Sequence, residues 1–117
     1  MSEQLNIQLI DEYNQVYTID YQLSMHVQRR KAQRGISNEY IKMCLLYGDV
    51  TSKQGLSFYY AKLNGLPANI PSGSRNKINN LVVVCDDNTG MVITSYWCTK
   101  GPSYLRRKRK DLVRYAA

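Results

Sequence analysis

The spacing of hydrophobic residues changes partway along this chain, from a helical period to the alternation that is typical of strands. In the first part, Ser24 and Ser37 each precede a helical pattern as candidate N-caps. Gly35 stands where the first helix should end in a left-handed residue. The sequence therefore predicts one helix over 25–34 and a second over 37–47. The apolar face of the second helix is expected to consist of Tyr40, Ile41, Cys44 and Leu45.

The second half of the chain is rich in β-branched and aromatic residues, which favour strands. Three segments show this pattern strongly, at 57–63, 81–85 and 91–97, and a weaker one precedes them at 49–54. Asp87-Asn88-Thr89-Gly90 has the composition of a hairpin connection between the last two. Helices followed by such strands predict an α+β fold, with N-terminal helices packed on a four-stranded antiparallel β-sheet.

Three segments are less well determined by their sequence, within what we interpret as a single domain of residues 1–117. Residues 1–20 alternate apolar and polar side chains like a strand, yet they are also compatible with a helix. Residues 64–80 contain two prolines and two glycines and predict a long loop. Residues 103–117 form a basic C-terminal segment in which a further helix is expected.

The composition limits the class of protein. A chain of 117 residues that is 44% hydrophobic can bury one core. No apolar run approaches the roughly 18 residues of a membrane span, and the first residues lack the pattern of a secretory signal. Three cysteines without a C-x-x-C pair and a single histidine match no zinc site. We therefore expect a cytoplasmic protein with free thiols, with no metal, no other cofactor and no membrane association.

The charge of the chain is positive and unevenly distributed. The formal net charge is +7, but residues 1–28 contain four acidic residues and no lysine or arginine. Basic residues cluster at 29–34 and again at 106–110. Such clusters are typical of surfaces that bind nucleic acids, and they also suit an acidic protein partner.

The run S-M-H-V-Q-R-R-K-A-Q-R-G-I-S, the amphipathic helix ending in Y-G and the strand containing V-I-T-S-Y resemble a known group of sequences. They are similar to an uncharacterised bacterial domain family related to the RelE/ParE- and BrnT-like toxins. That family is grouped with the barnase, EndoU and colicin-type ribonucleases, which share a helix-plus-four-stranded-sheet fold. The resemblance covers roughly residues 20–98. The resemblance implies this fold for the chain. Because many members of the group are metal-independent ribonucleases, it also makes ribonuclease activity an expectation for this chain. Other members of the group are gyrase poisons or have no known activity.

The resemblance and the helical spacing direct attention to the same residues. Positions 26, 30 and 34 drift by only about 40° per four-residue step, so His26, Arg30 and Arg34 can line one helix face. Cleavage of RNA without metal requires a base for the 2′-hydroxyl, an acid for the leaving oxygen and cations for the phosphate. We predict that His26 handles a proton and the arginines hold the phosphate. Tyr96 is one candidate for the second proton transfer, and a bound water is another.

Two broader interpretations remain open at this point. The first is a toxin-like ribonuclease that binds RNA; the second is a non-catalytic nucleic-acid- or protein-binding module in a phage, mobile-element or toxin–antitoxin context. An acidic antitoxin or another acidic protein would then be a partner, and the chain would be a monomer or a homodimer. The same basic residues could also form no more than a solvated helix face. The further residues predicted to contact phosphates are Arg29, Lys31, Arg106, Arg107, Lys108, Arg109 and Lys110.

Overall fold

Six strands and three α-helices form the part of the chain, residues 3–10 and 12–99, that the computed structural model describes. In chain order the elements are β1 (Glu3–Ile10), β2 (Val16–Leu23), α1 (Met25–Arg34), α2 (Asn38–Tyr47), β3 (Asp49–Lys53), β4 (Leu56–Tyr60), a 3₁₀ turn (Leu63–Gly65), α3 (Ser72–Ile78), β5 (Leu81–Asp86) and β6 (Val92–Trp97). The class is α+β, as the sequence predicts.

The sheet has six strands in the order β1-β2-β6-β5-β4-β3. All neighbours are antiparallel except β2 and β6, which are parallel and are joined by the single residue pair Leu23–Val92. The expected four-stranded antiparallel sheet corresponds to β3–β6. The prediction of N-terminal helices on a four-stranded sheet is therefore wrong in detail, because residues 3–23 form two further strands before the first helix.

The two predicted helices are present and are capped by the residues that the sequence indicates. The Ser24 hydroxyl accepts a hydrogen bond from the Val27 N–H at 3.1 Å, and the Ser37 hydroxyl accepts one from the Tyr40 N–H at 3.3 Å. Gly35 ends α1 with a φ of 71°, in the left-handed region that glycine adopts without strain. These local contacts fix where α1 begins and where the chain turns into α2.

The main core lies between the helices and one face of the sheet. Ile41, Cys44 and Leu45 of α2 are buried against this face, as the predicted stripe requires, and Tyr40 packs partly buried beside them. From the ribbon that β1 and β2 form, Leu5 and Ile7 enter the same cluster.

The opposite face of the sheet carries a second apolar cluster. It includes Phe58 and Tyr60 of β4 and Val82 and Val84 of β5. Because side chains alternate between the faces of a strand, Val83 belongs instead to the main core. The central strand β5 is consequently buried on both sides.

The prediction of a long loop over 64–80 is wrong in part, because regular structure interrupts it. A 3₁₀ turn covers Leu63–Gly65, and α3 covers Ser72–Ile78. Arg75 stabilises this region by donating hydrogen bonds to the carbonyl oxygens of Pro67 at 2.6 Å and of Leu63 at 2.9 Å. The side chain of Ile78 is buried in the main core.

The predicted C-terminal helix and the basic cluster at 106–110 lie outside the described residues. Within the described ranges, none of the helices combines the length and the apolar character that crossing a membrane requires.

Candidate nucleic-acid interface

Helix α1 is attached at both of its ends to strand β6. At the start, the Ser24 N–H donates to the Val92 carbonyl oxygen at 3.0 Å, and the Ser24 hydroxyl donates to the Ile93 carbonyl oxygen at 3.3 Å. At the end, Nη1 of Arg34 donates to the Ser95 carbonyl oxygen at 2.6 Å. Val27, between these contacts, is fully buried. The helix is therefore held along β6, and its other side is directed to solvent.

An open cleft of about 370 Å³ lies on the solvent side of α1, lined by Met25, His26, Arg29, Arg30 and Gln33. His26, Arg29, Arg30 and Gln33 recur at intervals of three and four residues, and such positions are neighbours on a helix surface. The helical spacing thus explains why these side chains meet. The guanidinium of Arg30 is oriented by a long hydrogen bond to the Gln33 side-chain oxygen at 3.4 Å.

The electrostatic potential of this face is positive because α1 and its flanking residues contain no acidic side chain. Residues 24–37 include three arginines and one lysine but no aspartate or glutamate, which is a local charge of +4. A concentration of cations on one exposed helix attracts polyanions.

The imidazole of His26 responds to this environment. Its pKa is lowered from the ordinary value of 6.5, first by partial burial and then by the positive charges of Arg30, Arg34 and Arg29. A lowered pKa leaves the imidazole neutral at pH 7, and a neutral imidazole can accept a proton. The cleft therefore combines one proton acceptor with two guanidinium groups.

Of the basic residues of α1 that the sequence predicts to form the site, some line the cleft and others make contacts elsewhere. Arg29 and Arg30 line the cleft beside His26. Arg34 does not line it; one of its N–H groups is committed to Ser95, although its charge still acts on the imidazole. The ammonium group of Lys31 donates to the side-chain oxygen of Asn38 at 2.5 Å, at the start of α2.

The sequence did not single out Gln33 and Met25 as part of the site. The signal that could have found Gln33 is the interval of seven residues from His26, which returns to the same helix face. Met25 lines the cleft next to His26 and supplies an apolar wall.

Tyr96 lies on a different surface from the cleft. It packs against the second apolar cluster, opposite Val82 in the neighbouring strand, and its hydroxyl is shielded from solvent. A bulge between Val84 and Cys85 shifts the register, so that Val92 and Thr94 lie on opposite faces of the sheet. Of the residues that the structure describes, Tyr96 is not among those that line the cleft with His26.

Cys44 and Cys85 are buried, and their surroundings suit a structural role. Burial raises the pKa of Cys44 far above its ordinary value and that of Cys85 to about 12. The thiol of Cys44 donates to the Tyr59 carbonyl oxygen at 3.2 Å. Because the thiolate is the nucleophilic form, these two buried thiols are unsuited to nucleophilic catalysis. Among residues 3–10 and 12–99, no group of three or more His, Cys, Asp or Glu side chains is arranged to hold a metal ion.

One family model, described as "Domain of unknown function (DUF4258)", matches residues 23–97. No curated protein and no solved structure matches the chain. The match covers α1 through β6 and so includes the cleft, whereas β1 and all but the last residue of β2 precede it. These comparisons name no toxin and no ribonuclease.

Proposed function

Because the chain belongs to the DUF4258 family, whose description assigns no activity, we propose its function from the cleft itself: metal-independent cleavage of single-stranded RNA. The observation that carries the proposal is the presence of His26, with its lowered pKa, in one cleft with Arg29 and Arg30. The resemblance to RelE- and BrnT-like toxins supports the same reaction.

Binding depends on the arginines. A guanidinium group can donate two parallel hydrogen bonds to one phosphate, and these bonds are strong because both partners are charged. Arg29 and Arg30 both line the cleft, so each can hold a phosphate of the RNA backbone. The local charge of +4 on residues 24–37 favours the approach of the RNA backbone. An acidic protein partner, including an antitoxin, would compete for this face.

The reaction begins when the neutral His26 imidazole takes the proton of a ribose 2′-hydroxyl. The 2′ oxygen attacks the adjacent phosphorus, and the bond from phosphorus to the 5′ oxygen breaks. The products are a 2′,3′-cyclic phosphate and a 5′-hydroxyl, whose proton comes from water because Tyr96 lies in the second cluster. Arg29 and Arg30 stabilise the negative charge that accumulates on the phosphate oxygens.

A second candidate function is RNA binding without cleavage at the same cleft. The observation that favours it is the number of proton-transfer groups. His26 is the only histidine of the chain, and among the described residues no Asp, Glu, Tyr or Cys lines the cleft with it. A site with a single acid–base group binds a phosphodiester as well as one with two, but it protonates the leaving oxygen poorly.

The test is to incubate the purified chain with end-labelled single-stranded RNA in EDTA and to analyse the fragments for 2′,3′-cyclic phosphate ends. The wild type should produce them, and His26→Ala should lower the rate by about 10²- to 10⁴-fold with little change in RNA affinity. Met25→Ala is the matched control, since it changes the apolar wall of the same cleft without removing a titratable group. Binding without cleavage would support the second candidate, and an absence of binding at low salt would exclude both.

A further inference from the structure

Strand β1 lies at one edge of the described sheet. It pairs with β2 along its whole length, from Glu3–Leu23 to Ile10–Val16. No other described strand lies beyond it. An edge strand presents a row of backbone N–H and C=O groups that can pair with another strand.

In the described part of the chain, residues 4–10 of this edge lack several of the features by which proteins usually prevent such pairing. Residues 4–10 contain no lysine, no arginine and no proline, and their register with β2 is regular, without a bulge. Strand β1 is also eight residues long, which is longer than the usual strand of five or six. Among the described residues, none pairs with the outer edge of β1.

The ribbon that β1 and β2 form also carries an apolar row that is only partly covered. Leu5 and Ile7 are buried in the main core, but Leu9 and Ile19 on the same face are each 38% exposed and Tyr17 is 50% exposed. The ribbon is joined to β6 by the single pair Leu23–Val92. Because a two-stranded ribbon is marginally stable by itself, further pairing would stabilise it.

The sequence of β1 indicates the partner. Gln4-Leu5-Asn6-Ile7-Gln8 has the same order of amide and aliphatic side chains when it is read in either direction from Asn6. If two such strands pair antiparallel about a two-fold axis at Asn6, Gln4 faces Gln8 and Leu5 faces Ile7 of the second copy. Within residues 4–8 each side chain then meets one of its own chemical kind, whereas Glu3 faces Leu9, and cross-strand side-chain contacts of this type contribute to the stability of a sheet. The axis also makes the contact self-complementary.

An axis at Ile7 would pair Leu5 with Leu9 and Asn6 with Gln8, but it would place Gln4 opposite Ile10, an amide against an aliphatic side chain. A shift by a single residue would turn the apolar row of one copy toward the other face of the sheet. Residues 4–10 carry no charge, so this part of the edge contributes no like-charge repulsion between two copies.

We propose that two copies of this chain form a dimer by antiparallel pairing of their β1 strands about Asn6, which joins their two sheets into one. The ribbon lies almost entirely before the matched family domain, so this surface adds to the domain rather than belonging to it. The proposal is independent of the function of the α1 cleft.

The experiment compares the oligomeric state of the wild type and three double variants by analytical ultracentrifugation. Gln4→Lys/Gln8→Lys places lysines opposite lysines in the Asn6 register, whereas Gln4→Glu/Gln8→Lys places glutamates opposite lysines. The control, Thr18→Lys/Gln22→Lys, adds the same charge to the neighbouring positions of β2, on the same face. All four positions are exposed. Within the ribbon, Gln4 lies opposite Gln22 and Gln8 lies opposite Thr18, and none of these side chains is charged.

We expect the wild type, the control and the glutamate–lysine variant to be dimers, and the double-lysine variant to be a monomer. A monomeric wild type, or equal behaviour of the two variants at positions 4 and 8, would overturn the proposal. A second measurement applies even if one of those variants fails to fold. Oxidised Asn6→Cys should form a disulfide-linked dimer and Asp20→Cys, at its neighbour in β2, should not; failure of the Asn6→Cys cross-link contradicts the Asn6 register. The natural cysteines are all buried and do not compete.

Discussion

The guanidinium group of Arg34 and the carbonyl oxygen of Ser95 lie 2.6 Å apart and join the end of α1 to strand β6. Because of this contact, two arginines that look alike in the sequence have different roles. Arg30, four residues earlier, lines the open cleft, while Arg34 holds the helix that carries the cleft. The basic run of α1 therefore serves two purposes, attachment to the sheet and presentation of charge to solvent.

The first prediction separates these two purposes. Arg34→Ala removes a charge-assisted hydrogen bond to the backbone and should lower the free energy of unfolding by about 1–3 kcal/mol. Arg30→Ala removes the same charge from an exposed position and should change it by less than about 0.5 kcal/mol. Urea denaturation measures both values. Equal stability of the two variants would mean that the Arg34–Ser95 contact contributes nothing to the fold.

The parts of the fold that could be predicted from the sequence are those determined by local contacts. The caps formed by Ser24 and Ser37 involve backbone groups only three residues away, and Gly35 requires only its own backbone freedom. The grouping of His26 with Arg30 could be anticipated for the same reason, because side chains four residues apart on α1 are neighbours. The position of Arg34 outside the cleft could not, because its side chain is held by the distant residue Ser95.

The parts that could not be predicted depend on contacts between distant residues. Helix α3 has the sequence Ser-Gly-Ser-Arg-Asn-Lys-Ile, which is poor in helix-forming residues. Burial of Ile78 and the hydrogen bonds from Arg75 to Leu63 and Pro67 stabilise it instead. The position of Tyr96 on the other face of the sheet likewise depends on pairing with β5, where Tyr96 faces Val82.

A second prediction concerns the close approach of backbone at Gly48, between α2 and β3. A Cβ atom there would lie 2.5 Å from the Cys44 carbonyl oxygen and 3.2 Å from backbone atoms of Tyr60. These neighbours are main-chain atoms and cannot move aside, so Gly48→Ala should destabilise the fold by about 1–3 kcal/mol. Gly73, within α3, has no atom within 4 Å of its Cβ position. Gly73→Ala should therefore stabilise by about 0.5–1 kcal/mol, and thermal denaturation should show shifts of opposite sign.

A third prediction concerns the dependence of RNA affinity on salt. If the clusters at 29–34 and 106–110 together neutralise about four to six phosphates, the affinity for single-stranded RNA should fall with salt at a log–log slope of roughly −3 to −4. Arg29→Ala/Arg30→Ala should flatten this slope by about 1.4, because each lost phosphate contact contributes about 0.7. Fluorescence anisotropy at several salt concentrations gives the slope.

The control for this prediction is Lys42→Ala/Lys77→Ala, which removes the same charge from α2 and α3 outside the cleft. It should leave the slope unchanged. If the control and the arginine variant behave alike, the RNA responds to net charge and has no preference for the α1 cleft. A replacement of all five basic residues at 106–110 should flatten the slope further, if that segment contacts phosphates as the sequence predicts.

The last prediction uses the fact that His26 is the only histidine, so that its imidazole can be followed by NMR without overlap from another. Its pKa should lie below 6.5 in the folded chain, and Arg29→Ala or Arg30→Ala should raise it, because each removes a positive charge that disfavours the imidazolium. Bound RNA should also raise it, since phosphates offset the same charges. A base must be neutral to act, so kcat/KM for cleavage should fall only as the pH drops through this lowered pKa.

The same shift determines how stability depends on pH. The unfolded chain binds the proton more tightly than the folded one, so the contribution of His26 is present above pH 6.5 and is lost as the pH falls through the folded pKa. His26→Gln should remove this contribution to the pH dependence of stability and leave the contributions of the other titrating groups unchanged. In Arg30→Ala the acid limb of the cleavage profile should move to higher pH together with the NMR value. If the NMR pKa moves and the profile does not, another group is the base, and if the pKa is at or above 6.5, the arginines do not act on the imidazole.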